Sequence, residues 1–309
     1  MTLPSSLAVS ALQDAILVRT SRRAYEPDRA VDSETLESLE RLAEEFHPWP
    51  GARFGVVREA PPELFTGLIG NYGRVTGAPS AFIFVGTEGT PDVDAVLGYV
   101  GEAAVLAATA GGLGTCWIAG SLDRDVAASL IELGPEERIY GVSPIGYAKA
   151  RGGDALLSGW RALHPRKPLT TIAPGCETWP GWARAAVQAA RLAPSALNRQ
   201  PWRFSYGPDT GLVASAVPVG SGTLAPELDV GIAMLHAEVA ATAAGCLGTW
   251  MFGGHQPELA VYPGAVGSAP DIASDSARNP LGGTDTGLPK KPEHSLGRSG
   301  GAVEDPNRD

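Results

Sequence analysis

The 309-residue sequence predicts an α+β fold laid out as two tandem halves and a polar tail. Three observations carry this. Helical and strand-like runs alternate through the first 150 or so residues and start again near residue 180. Each set contains one long alanine-rich helix. The segments that close those helices, AGGLGTCWIAG (Ala110–Gly120) and AGCLGTWMFGG (Ala244–Gly254), align without a gap, as an internal duplication would make them. A glycine at a helix end is common; two with the same kind of helix before them are not. The halves are placed at residues 1–175 and 176–263, and the tail at 264–309.

The elements follow in order. Leu7, Leu12, Ile16 and Leu17 fall near one side of a helix over residues 6–18. RTSRRAYEPD then leads to Asp32 or Ser33, which caps a second helix running to Phe46 with Glu34 in its first turn. HPWPGARF turns the chain into a strand at Phe54–Val57. Ala81–Val85 is a continuous apolar run, the pattern of a buried strand. Residues 94–111 form the first alanine-rich helix, and Ile139–Ala148 another apolar strand. In the second half Trp182–Ala193 reads as a helix, WRFSYG (Trp202–Gly207) as a strand and residues 229–244 as the second alanine-rich helix. From Gly264 onward there is no aromatic residue and few large aliphatics, so the tail cannot bury enough surface to offset the entropy of ordering and is expected to be disordered.

Composition excludes several classes of function. A net charge of −10 repels nucleic acid and anionic membrane, so neither is an expected partner, while a local basic pocket for a phosphate stays open. Cys116, Cys176 and Cys246 stand far apart with no CxxC, which encodes neither a zinc site nor a disulfide framework and fits a reducing, cytoplasmic setting. MTLPSSLAVSALQDAIL has no basic leader or long apolar core, so no signal peptide is expected. The most apolar window, AAVLAATAGGLGTCWIAG, is interrupted by glycines and preceded by Glu102, and reads as a buried helix in preference to a membrane span.

Five constellations could carry chemistry. Arg19, Ser21 and Arg23 alternate, so an extended backbone would set two guanidiniums and a hydroxyl on one side, suited to phosphate oxygens; a solvated basic patch at a helix end is the plainer account. Pro194, Ser195, Ala196, Asn198 and Gln200 form a proline-bounded loop whose amides and hydroxyl could meet the polar edge of a planar ring, or could simply close local turns. Arg166 and Lys167 could reach the same phosphate, or could be an ordinary charged surface linker. Asn71 and Arg74 precede a buried strand. Ala119 and Gly120 would let a backbone amide approach a ligand closely. No Gly-x-Ser-x-Gly elbow or His-Glu-x-x-His occurs, so neither a side-chain nucleophile nor a metal site is expected. His47, His164, His236 and His255 are scattered and read as solvated or hydrogen-bonded structural residues. GGLGTC has the wrong glycine spacing for a dinucleotide fingerprint and follows a helix where that motif follows a strand.

Together these residues resemble the nitroreductase family of FMN-dependent NAD(P)H oxidoreductases, over roughly residues 10–260. The resemblance implies a sandwich of helices around an antiparallel or mixed sheet. It implies that Arg19, Thr20, Ser21 and Arg23 hold the FMN phosphate and that Arg166 and Lys167 close that pocket. Pro194, Ser195, Ala196, Asn198 and Gln200 would meet the flavin ring, as would Asn71 and Arg74, with the backbone at Ala119 and Gly120 facing flavin N5. In ordinary family members the Arg-Ser-Arg and Pro-Ser-x-x-Asn segments follow one another closely, and the flavin lies between two chains. Here the first half has HPWPGARF where the loop should be, and the second half has the loop but no Arg-Ser-Arg. This is similar to a fused, single-chain branch of the family. It implies an intramolecular pseudo-dimer with one surviving site, monomeric, passing electrons from NAD(P)H to a small-molecule acceptor such as a nitroaromatic or quinone by a ping-pong scheme. Two alternatives stay open: an FMN-binding protein without reductase turnover, in which Trp49, Trp117, Trp160 or Trp202 roofs the ring, and a scaffold that has lost flavin.

Overall fold

A computed structural model of the chain describes residues 3–46, 49, 51–65, 74–120, 122–150, 165–218, 225–253 and 258–266. The tail beyond residue 266, Asn71, Trp160, His47, His164 and His255 lie outside the described residues.

The first half opens with helix α1 (Val9–Val18), which buries Leu12, Ala15 and Ile16. It begins at Val9, later than the sequence pattern suggests, because Leu7 is held in a turn by its N–H to Pro4 O. Helix α2 (Ser33–Phe46) buries Leu36, Leu39, Leu42 and Phe46. Asp32 is its cap: the carboxylate accepts from Thr35 N–H and Thr35 Oγ1–H, both at 2.8 Å. Strands β1 (Ala52–Val57) and β2 (Ser80–Thr87) precede the long helix α3 (Val93–Ala110), and β3 (Gly114–Thr115), helix α4 (Arg124–Ser129) and β4 (Glu137–Gly146) follow it. The sheet order is β1-β2-β4-β3, antiparallel throughout, with Phe54 opposite Phe84 and Ser80 opposite Ile145. A bulge interrupts the β2–β4 pairing between Phe84 and Val85.

A single helical turn (Leu169–Ile172) ends the first half, and the second half holds α5 (Gly181–Ala190), β5 (Trp202–Gly207), β6 (Gly211–Ala216), α6 (Pro226–Ala243), β7 (Cys246–Leu247), β8 (Met251–Phe252), β9 (Glu258–Tyr262) and β10 (Ala265–Val266). Its four-stranded sheet runs β5-β6-β9-β8, again antiparallel, with a bulge between Ala214 and Ser215 in the β6–β9 pairing. Strand β6, GLVASA, has too few β-branched residues to stand out in the sequence and owes its form to pairing on both sides. Helix α6 starts at Pro226, ahead of the expected residue 229, because proline suits the first helical turn, where its missing N–H is not needed. Where the sequence places the start of a disordered tail, Gly264 leads instead into β10, which pairs with β7; the partner strand supplies the order that composition lacks.

Helices α3 and α6 form the centre of the molecule. Helix α3 is long and apolar enough to cross a membrane by length and composition alone, and it lies buried inside the fold against α6, α1, β1 and β2. The two helices meet at reciprocal glycines. A Cβ on Gly98 would fall 2.0 Å from Leu228 O, and one on Gly231 would fall 1.9 Å from Ala95 O. Only glycine at both positions lets the backbones approach this closely.

Candidate functional site

The arm after α1 is extended. Arg19 caps the helix through its N–H to Ala15 O, and its ψ of 125° turns the chain out of the helix. Arg22 N–H then donates to Thr115 O at 2.8 Å, Ser21 pairs with Thr115 in a parallel bridge, and Thr76 N–H donates to Arg23 O at 2.8 Å. Arg19, Ser21 and Arg23 all act on the buried Cys116 thiol. Burial raises that thiol above its ordinary pKa, while Arg23, a hydrogen bond with Ser21, and Arg19 oppose the rise. Thr20 and Arg22, at the intervening positions, line a cavity of about 360 Å³ together with Arg19, Arg29 and Tyr147.

The loop after α5 is strained. Leu197, Asn198 and Gln200 have φ of 51°, 56° and 50°, a left-handed region that is unfavourable for residues other than glycine. A closed set of hydrogen bonds holds them there. Gln200 N–H donates to Ser195 Oγ at 2.9 Å, and the Gln200 side-chain amide donates to Pro165 O and Asn198 O. Lys167 N–H donates to Gln200 Oε1 at 2.7 Å. Arg166 donates to the carbonyls of Ala193 and Leu192 at 2.6 and 2.9 Å. These carbonyls lie just past the end of α5, which is why that helix stops short of the Ala193 expected from its pattern. Arg166→Met removes both bonds and a third to Asn198 Oδ1 at 3.3 Å, and is expected to cost at least about 2 kcal/mol of stability, each hydrogen bond to a charged group contributing roughly 1.5–3 kcal/mol, measurable by urea unfolding. From below, Asp229 of α6 accepts Ala196 N–H at 3.1 Å on each carboxylate oxygen. Burial pushes its pKa up to about 7, against the opposing pull of Ala196 N–H and Arg199.

Buried polar contacts join arm to loop. Arg19 Nε lies 3.8 Å from Glu102 Oε1, and the Trp117 indole N–H donates to Glu102 Oε2 at 2.6 Å. His236 Nε2 lies 2.8 Å from Glu102 Oε1, and His236 Nδ1 lies 3.2 Å from Ala189 O in α5. Arg166 sits in the same field: burial first, then the charges of Arg19 and Arg191, push its pKa down to about 10, with Glu102 opposing. Arg19 Nε and Thr115 Oγ1 are buried without hydrogen bonds. A buried guanidinium with a donor left unmet is relieved by an anion, and a phosphate monoester supplies oxygens that such donors match.

A sequence model of the family described as "Putative TM nitroreductase" matches residues 11–241, well over half of the chain. The chain belongs to the nitroreductase family. Among solved structures, a protein of like description from Thermotoga maritima is 22% identical, with a TM-score of 0.54 over 81% of this chain and 92% of its own. That likeness shows the fold: mixed α and β, with helices packed on antiparallel sheets. A nitroreductase family protein from Clostridium novyi is 21% identical (TM-score 0.37; 45% of this chain, 85% of its own). An FMN-dependent nitroreductase from Clostridium difficile is 19% identical (TM-score 0.37; 50% of this chain, 96% of its own). No curated protein matches the chain in sequence. Nitroreductases are in general FMN-dependent oxidoreductases.

The residues expected to serve a nitroreductase site are placed unevenly. Arg19, Ser21, Arg23, Arg166, Lys167 and the 194–200 loop belong to the connected system above; Thr20 lines the adjoining cavity. Ala119 O accepts from Arg124 at 3.2 Å, and a Cβ on Gly120 would meet nothing within 4 Å, so a ligand can come close there. Arg74 is exposed and makes no hydrogen bond to the described residues. The phosphate end of FMN fits: its oxygens would take up the donor that Arg19 leaves without an acceptor. The ring end is more closed. Ser195, Asn198 and Gln200 bond to one another and to the 165–167 strap, and none of them lines the cavity beside the arm. Trp202 is fully buried and Trp117 stacks on Phe84 at 4.2 Å, so neither stands free to roof a ring. No motif marks Glu102, His236 or Asp229, yet each is an ionisable residue inside an apolar helix, and a buried charge must have a partner.

Proposed function

We propose that the chain is an oxidoreductase that binds FMN and passes electrons from NAD(P)H to a nitroaromatic, quinone or similar acceptor by a ping-pong scheme. The observation that carries this reading beyond family membership is the buried chain that runs from the arm of the first half into the second half: Arg19 Nε lies 3.8 Å from Glu102 Oε1, and His236, 2.8 Å from the same oxygen, reaches Ala189 O of α5, the helix that leads into the loop. Arg19, Ser21 and Arg23 would hold the phosphate. The 194–200 loop, kept in its strained shape by Asp229 and Gln200, would position the ring, and Gly120 would leave its backbone accessible to it. FMN supplies the hydride chemistry when bound; the protein holds, orients and shields it.

The reading includes an internal pseudo-dimer that is monomeric and keeps one site. Four observations support this. The sheets share one strand order, and bulges occur in corresponding strand pairs. Gly98 and Gly231 meet reciprocally across the central helices, as residues do about a two-fold axis. In the first half, at the place of the second half's loop, Trp49 packs on Phe46 and Tyr99 at 4.9 and 5.5 Å, which leaves aromatic rings where a ring-binding loop would stand. Light scattering should give one chain per particle, and the absorbance of purified protein one FMN per chain. Anaerobic NADPH should bleach that flavin. Bound flavin that neither NADH nor NADPH reduces would instead mark a flavin-holding protein. Arg19→Ala should weaken FMN binding about 10- to 100-fold, the loss of one charge-assisted contact of roughly 1.5–3 kcal/mol; an unchanged dissociation constant by fluorescence titration would sink the phosphate assignment.

One observation favours a second reading, a scaffold without flavin: the side chains of the loop already satisfy one another. A colourless protein that takes up no added FMN would decide for it.

A further inference from the structure

Glu102 is linked, directly or through His236, to the segments that the proposed FMN site draws together. It faces Arg19 of the arm, accepts from Trp117 two residues before Ala119, and meets His236, whose other nitrogen reaches Ala189 just before the loop. It is completely buried, as is His236. The protonation of the pair follows from its neighbours. His236 Nδ1 faces a backbone carbonyl, which only accepts, so Nδ1 must donate. His236 Nε2 faces Glu102 Oε1, an oxygen that also has the Arg19 cation 3.8 Å away, while Oε2 takes the indole N–H. A proton placed on Oε1 would lie beside a guanidinium, whereas ionised Glu102 accepts from both Trp117 and His236 and keeps its charge beside the Arg19 cation. Both nitrogens of His236 then donate, and the ring is an imidazolium.

We infer that Glu102 and His236 form a buried ion pair that positions Arg19 for a phosphate. Because the pair is neutral as a unit, it orients the Arg19 guanidinium without cancelling its charge, and that charge stays available to an anion. A lone buried carboxylate in the same place would pair with Arg19 and compete with the ligand. Glu102 and His236 are thus positioning residues that act through Arg19, and this inference rests on the FMN reading.

The test compares FMN with riboflavin, which has the same ring and no phosphate. Both are titrated against the wild-type chain, Glu102→Gln, and the double variant Glu102→Gln/His236→Gln, which keeps hydrogen-bonding groups and removes both charges. Positioning of Arg19 predicts that each variant loses FMN affinity 10-fold or more while riboflavin affinity changes less than about 2-fold, so the preference for FMN collapses. A role confined to holding the helices together would weaken both flavins in parallel, and that result, or an unchanged ratio, overturns the inference. A lowered melting temperature does not enter, because the readout is a ratio within each protein. ¹⁵N NMR of histidine-labelled wild-type protein supplies the measurement without flavin: His236 should show two protonated ring nitrogens. A neutral ring overturns the ion pair. Should wild-type protein bind neither flavin, the FMN reading and the positioning of Arg19 for its phosphate fall together, and the NMR result alone decides the pair.

Discussion

Gly231→Ala is expected to lower the melting temperature by about 6–12 °C, from a loss of ~3 kcal/mol at roughly 2–4 °C per kcal/mol in a domain of this size. The added methyl would sit 1.9 Å from Ala95 O, far inside van der Waals contact. What it meets is backbone, which has no rotamer to escape into. Relief requires α3 and α6 to separate, and that opens the interface along which most of both helices is buried. Gly98→Ala, 2.0 Å from Leu228 O, should behave alike. The two substitutions push the same pair of backbones apart, so together they should cost less than the sum of their separate effects. Gly120→Ala is the control: with nothing within 4 Å of its Cβ, it should leave the melting temperature nearly unchanged. Thermal melts followed by circular dichroism would check all four proteins, and a Gly231→Ala protein as stable as wild type would show that the helices do not pack this closely.

Asp229→Asn is expected to stabilise the protein at pH 8 and to have little effect at pH 4. Burial raises the Asp229 carboxyl from 3.8 to about 7 in the folded state. A group held above its unfolded pKa contributes most to stability when protonated, below pH 4, and that contribution is lost as pH rises through 7. About three pKa units at 1.36 kcal/mol each set a ceiling of about 4 kcal/mol, and relaxation around a partly bonded carboxylate brings the expected gain in the variant to about 2–3 kcal/mol. The asparagine oxygen can still accept Ala196 N–H, so the loop need not lose its anchor. Urea unfolding between pH 4 and 8.5 should show wild-type stability falling toward high pH relative to the variant. Parallel curves would mean that Asp229 titrates normally. A carboxylate kept in place at a cost to the fold, under the loop proposed to hold the flavin ring, is the kind of residue that function retains.

Much of the architecture was legible because it is written in local pattern. Asp32 ahead of the acidic first turn of α2, the unbroken apolar run of β2, and the paired Gly-x-Leu-Gly-Thr endings each need only a few neighbouring residues to act. The alternation of Arg19, Ser21 and Arg23 is likewise a property of any extended chain, and all three act on one buried thiol. Strands β6 and β10 were illegible for the opposite reason: their own residues favour no strand, and hydrogen bonds from distant partners make them.

The sequence by itself determined the secondary elements with strong periodicity, the two matching glycine-rich helix ends, and the family to which the chain belongs. Only the tertiary structure decided which ionisable groups act together. Arg19, Glu102, His236 and Arg166 come from four separate elements, and no spacing rule relates them. Burial brings Arg19 Nε to 3.8 Å and His236 Nε2 to 2.8 Å from Glu102 Oε1, and leaves Arg166 in the field of Arg19 and Glu102, an arrangement that exists only once α3 and α6 have packed.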